Sequence, residues 1–69
     1  MTEEDHIKKI DSFKELTKGW DSYDAKPIAM SAIDKAKRLN HSLCVNYGAE
    51  NIFYVPTHAG GIQIEIDIA

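Results

Sequence analysis

The sequence predicts an α+β fold in which two helices pack on one face of a C-terminal antiparallel β-hairpin, in the order ααββ. Three observations lead there. Apolar residues recur at three-to-four-residue spacing through Ile7, Ile10, Phe13 and Leu16, and again in the stretch from about Ser31 to Tyr47. Strict alternation runs through Ile62-Gln63-Ile64-Glu65-Ile66-Asp67-Ile68, the strongest periodicity in the chain. Between that run and the strand-like Asn51-Ile52-Phe53-Tyr54-Val55-Pro56 stand Gly60 and Gly61, paired glycines that read as a hairpin turn.

The first helix starts at a capping-box-like pair, Thr2 with Asp5 three residues on, and Glu3, Glu4 and Asp5 suit the positive end of a helix dipole. Lys18 in the last turn and Gly19 after it mark the expected stop. Residues 19 to 29 mix turn formers with two aromatics, which argues for an ordered loop, and Trp20 should plug one end of the core. The second helix is expected from about Ser31, its cap, to Tyr47, with Gly48 ending it. Its inward face should be Ile33, Ala36, Leu39 or Asn40, Leu43 and Tyr47. Ala32 and Ala36 would let the first helix approach closely, while Lys35, Lys37, Arg38 and His41 should face water. Pro56 marks the end or an edge of the first strand. In the last strand four isoleucines should face the helices and three polar side chains the other way.

A chain of 69 residues is a single domain, 1–69, with one core. Domains this small draw only about 3–5 kcal/mol from that core and usually add a disulfide, a metal or a second subunit. One cysteine, Cys44, excludes an internal disulfide and a cysteine-rich zinc site, which leaves oligomerisation. The acidic start, the absence of a long apolar run and 43% hydrophobic content lead to the expectation of a folded, cytoplasmic protein with no membrane partner. Net charge is −3 with both signs interspersed, so a nucleic-acid partner is not expected.

Two segments, Gly19-Trp20-Asp21-Ser22-Tyr23-Asp24-Ala25-Lys26-Pro27-Ile28 and Gly60-Gly61-Ile62-Gln63-Ile64-Glu65, resemble a small bacterial and phage-associated family. Its members carry a Gly-Trp-Asp-Gly-Tyr-Gly-Ala-x-Pro-Ile loop and a late Gly-Gly-x-x-Leu-Glu-Trp strand. This chain departs from the pattern at Ser22, Asp24 and Ile66. The resemblance spans about residues 16 to 66 and implies a prokaryotic or mobile-element setting without implying a chemistry.

The residues themselves are short of catalytic constellations. Asp21 and Asp24, with Glu65, offer too few oxygens for a tight divalent-cation site. His6, His41 and His58 fall on separate elements, so no metal is expected; His58, beside Gly60 and Gly61, reads as a surface turn residue, with anion binding by the turn amides and proton transfer by its imidazole as the alternative. Cys44 reads as a small hydrophobe, with Asn40 and Tyr47 on its side of the helix. No cofactor is expected.

The expected function is therefore a non-catalytic protein–protein interaction module and not an enzyme. Its partner surface combines Trp20, Asp21, Tyr23, Asp24, Gln63, Glu65 and Asp67. A homodimer is expected through the edge formed by Ile62, Ile64, Ile66 and Ile68, because a two-stranded hairpin is marginal in water and an open strand invites another. With the family's setting, this suggests an accessory that inhibits a host defence complex in the manner of an anti-CRISPR. Two alternatives stand beside it. One is a small nucleic-acid-associated regulator using Lys35, Lys37 and Arg38; the other is a metal-dependent enzyme using Asp21, Asp24, His58 and Glu65.

Overall fold

The computed structural model describes residues 2–21 and 24–67, and it has the ααββ arrangement, two helices packed against an antiparallel hairpin. Expectations for Ser22, Tyr23 and Ile68 lie outside the described residues.

Helix α1, Glu3–Ser12, begins at the anticipated cap: the Asp5 amide donates to Thr2 Oγ1 at 3.1 Å and the Thr2 amide donates back to Asp5 Oδ2 at 2.9 Å. It ends earlier than Lys18. From Phe13 to Glu15 the chain tightens into a 3-10 turn and Leu16 is already extended, which turns Phe13 into the core. Gly19 keeps its left-handed conformation at φ 78°, yet it serves the following loop, its amide donating to the Ala25 carbonyl at 2.8 Å. The inward stripe also differs from the apolar pattern. His6 is fully buried while Ile7 is only half-buried.

Helix α2, Met30–Tyr47, starts one residue before the expected Ser31 and without a side-chain cap. Backbone bonds from the hairpin set this start: the Ala29 amide donates to the Gly60 carbonyl at 2.9 Å, and the Lys26 amide to the His58 carbonyl at 2.9 Å. Gly48, at φ 88°, ends the helix. Ile33, Ala36 and Asn40 are buried, with Leu43 and Cys44 half-buried beside them. Of the two candidates at the third turn, Asn40 points inward and Leu39 is exposed, and Tyr47, expected inside, is also exposed. The polar choice wins because Asn40 has buried partners: its Nδ2 donates to the Glu3 carbonyl at 3.0 Å and its Oδ1 accepts from the Tyr54 hydroxyl at 2.8 Å.

After a 3-10 turn over Ala49–Asn51, strand β1, Ile52–Pro56, pairs antiparallel with β2, Ile62–Ile66. The expected strand residue Asn51 thus belongs to the turn. Partners across the hairpin are Ile52 with Ile66, Phe53 with Glu65, Tyr54 with Ile64, Val55 with Gln63 and Pro56 with Ile62. The core gathers Ile10, Phe13, Ile28, Ile33, Ala36, Ile52 and Tyr54, and Leu16, Trp20, Ile62 and Ile64 pack against it. Ile62 and Ile64 therefore face the helices as expected, whereas Ile66 is half-exposed and does not join that cluster. Trp20 is half-buried at the core's margin, with its indole N–H donating to the Lys26 carbonyl at 3.0 Å.

No helix among the described residues is long and apolar enough to cross a membrane.

Candidate functional site

The open side of β2 follows from the ladder's parity. The Asp67 amide donates to the Asn51 carbonyl at 2.8 Å and the Thr57 amide donates to the Gly61 carbonyl at 2.9 Å, so these two pairs bracket the hairpin. Hydrogen-bonded and non-hydrogen-bonded pairs alternate in an antiparallel ladder, which makes Phe53 with Glu65 and Val55 with Gln63 the bonded pairs between them. The backbone N–H and C=O of Ile62, Ile64 and Ile66 consequently point away from β1. Among the described residues, no backbone group outside the hairpin meets them. The far edge of β1 is better protected. There the Ile52 amide already donates to the Ala49 carbonyl and Pro56 has no N–H to offer.

Beside this edge lies a groove of about 320 Å³ lined by Ala32, Lys35, Ala36 and Leu39 of α2 and by Ile62 and Ile64 of β2. Ala32 and Ala36 thus border the final strand as well as the core, where close approach of α1 was the expectation. Leu39 is 40% exposed at the groove. On the outer face of the sheet Gln63 and Glu65 are exposed and joined, Gln63 Nε2 donating to Glu65 Oε1 at 3.2 Å. Phe53 and Val55 share that face and are 42% and 40% exposed.

The other expected partner residues are split between two places. Trp20 stays with the loop through Lys26, while Asp21 reaches the hairpin turn: Asp21 Oδ2 lies 2.9 Å from His58 Nδ1, so His58 is an exposed turn residue, as expected, that an ion pair or hydrogen bond ties to the loop. Asp24 is exposed. Asp67 sits at the opposite end of the hairpin, bonded through its backbone to Asn51. Among the described residues no three His, Cys, Asp or Glu side chains gather to hold a metal ion, Asp21, Asp24 and Glu65 included.

The basic residues of α2 are also dispersed. Lys37, expected in water, is half-buried because it bonds Asp11; with Lys14 it holds the Asp11 carboxyl below the usual carboxylate range. Lys35 lines the groove and Arg38 is exposed, while His41 Nδ1 lies 2.7 Å from Glu3 Oε1. Cys44 is half-buried, with its thiol 3.5 Å from Asn40 Oδ1. Burial, then the charges of Glu3 and Glu50, push that thiol up, and a protonated thiol is a poor nucleophile.

Sequence reasoning did not single out Leu39, Phe53 and Val55 as exposed apolar contacts. A signal for the strand pair was present: Ile52-Phe53-Tyr54-Val55 is apolar on both faces, so burying one face must expose the other. Comparison with models of protein families, with curated proteins and with solved structures finds no match for this chain.

Proposed function

We propose that the chain is a non-catalytic protein-interaction module whose docking element is the open edge of β2, which takes up an extended segment of a second polypeptide as an added strand. The observation that carries this reading is the row of outward N–H and C=O groups at Ile62, Ile64 and Ile66, unmet among the described residues and flanked by the groove at Leu39. Main-chain bonds along such an edge supply affinity, and side-chain pockets at alternate positions supply selectivity. The groove at Ala32, Ala36 and Leu39 favours an apolar side chain on the helix side of the incoming strand.

Screening a displayed library of extended peptides against immobilised protein tests the reading. Enriched peptides are then measured on Ile66→Pro. That substitution removes an outward N–H, costs no bond to β1 and touches a side chain outside the core cluster. Binding should fall by at least about tenfold, the equivalent of one backbone hydrogen bond to an edge. Peptides that bind both proteins equally, or a library that yields none, would sink the proposal.

A further inference from the structure

We infer that the strand which docks on β2 is β2 of a second copy, running antiparallel with Ile64 opposite Ile64; this inference rests on the strand-addition reading and names its partner. The parity of the ladder restricts the possibilities first. Free backbone groups on this edge belong to Ile62, Ile64 and Ile66, so an antiparallel copy must place even-numbered residues opposite even-numbered residues. Two-fold axes that also pair at least three residues of β2 with β2 sit at Ile64, at Gln63 or at Glu65.

The charge pattern chooses among the three. Centred on Ile64, all five residues of β2 are paired, with Ile62 opposite Ile66 and Gln63 opposite Glu65. Each Gln63 carboxamide then faces a carboxylate of the second copy, in a non-hydrogen-bonded pair where side chains stand closest. Centred on Glu65, two carboxylates face each other directly, which is destabilising. Centred on Gln63, Glu65 falls opposite Gly61 and keeps only the Gln63 amide of its own chain, with no donor across the new ladder. Of the three, the Ile64-centred register alone pairs the whole of β2 with β2 and places an amide opposite each carboxylate across the new ladder.

The helix side agrees with it. An axis through Ile64, perpendicular to the sheet, keeps both copies' helices on one face of a continuous four-stranded sheet. The second copy's Ile62 and Ile66 then arrive on the face that carries the groove, where Leu39, Ile62 and Ile64 are incompletely covered. A two-stranded hairpin is thereby converted to a sheet of a size that is stable in water.

The test uses the full chain in three forms: the wild type, a synthetic chain N-methylated at the Ile64 amide, and an equimolar mixture of Gln63→Cys and Glu65→Cys under mild oxidation. Light scattering over a concentration series should give a mass near twice 7.8 kDa for the wild type and a single chain for the N-methylated form. In the mixture a disulfide between positions 63 and 65, located by peptide mapping, should predominate over bridges formed by either variant alone. Both cysteines lie on the exposed outer face, so this arm does not depend on how the N-methylated chain folds. A wild type that stays monomeric overturns the second copy as partner, while peptide binding sensitive to Ile66→Pro would still uphold strand addition. Bridges from 63 to 63 or 65 to 65 overturn the register. A dimer that survives N-methylation overturns edge pairing and points to the face of Phe53 and Val55.

Discussion

Asn40 links three parts of the fold through one carboxamide. It donates to the Glu3 carbonyl of α1, accepts from the Tyr54 hydroxyl of β1 and lies within reach of the Cys44 thiol on its own helix. His6 completes this polar seam. Its Nε2 donates to the Ala49 carbonyl at 2.6 Å and its ring packs T-shaped against that of Tyr54, with centroids 5.4 Å apart. Its Nδ1 is buried without a partner among the described residues. Burial pushes the Tyr54 phenol from 10.0 up to about 12. The unfolded phenol ionises near pH 10 and the folded one near pH 12, so between them the unfolded state binds fewer protons and stability falls as pH rises. The loss is fully absent below pH 10 and amounts to about 2–3 kcal/mol once both states are ionised, two pKa units at roughly 1.4 kcal/mol each. Denaturant titrations from pH 8 to 12 should show this decline in the wild type. Tyr54→Phe should be less stable by about 1–2 kcal/mol at neutral pH, having lost a buried hydrogen bond, and should have a flatter alkaline limb. Equal limbs would remove Tyr54 as the cause.

At the scale of elements, the two helices are begun by different means. The start of α1 is local, a reciprocal Thr2 and Asp5 cap that also lowers the Asp5 carboxyl through the Thr2 amide. The start of α2 is borrowed from the hairpin turn, where Ala29 bonds to Gly60 and Lys26 bonds to His58. Gly60 is the critical residue in that turn. It sits at φ 91°, where side chains are strained, and a Cβ there would come within 2.8 Å of the Pro27 carbonyl oxygen. Gly61 is different, since a Cβ there meets nothing nearer than Thr57 Oγ1 at 3.4 Å. Gly60→Ala should therefore lose about 1–3 kcal/mol by thermal or urea unfolding, with Gly61→Ala losing distinctly less. Equal losses would mean that the turn's contact with Pro27 does not govern the placement of α2.

For the whole molecule, size is the governing quantity. Among the described residues the core cluster gathers seven buried side chains, which leaves a 69-residue chain little stability in reserve, and the open edge of β2 adds unpaired backbone groups to that shortage. If a second copy closes the edge, folding and association are linked, and the melting temperature must depend on concentration. A rise of roughly a few degrees for each tenfold increase in protein is expected for the wild type, since about 1 kcal/mol moves Tm by several degrees in a domain this small. Ile66→Pro should melt at one temperature across the same range. A wild-type Tm independent of concentration would place the missing stability elsewhere.

The alternation of Ile62 to Ile66, the paired glycines and the Thr2 cap were legible one residue at a time, because each is a local rule: side-chain period, turn conformation and satisfaction of the first helical amides. Class, element order and the hairpin follow from such rules. The choice of Asn40 over Leu39, the burial of His6, the start of α2 at Met30 and the pairing of His58 with Asp21 do not. Each depends on a hydrogen-bond partner far along the chain, Glu3 and Tyr54 for Asn40, Ala49 for His6, Gly60 for Ala29. Hydrophobicity ranks side chains by their transfer from water and cannot register a partner that exists only once the chain has folded, so tertiary structure decided which polar groups went inside. The same holds for the edge. An alternating strand names the face that is buried, but which backbone groups point outward is decided by the parity of the ladder, and that is set by the bonds from Asp67 to Asn51 and from Thr57 to Gly61.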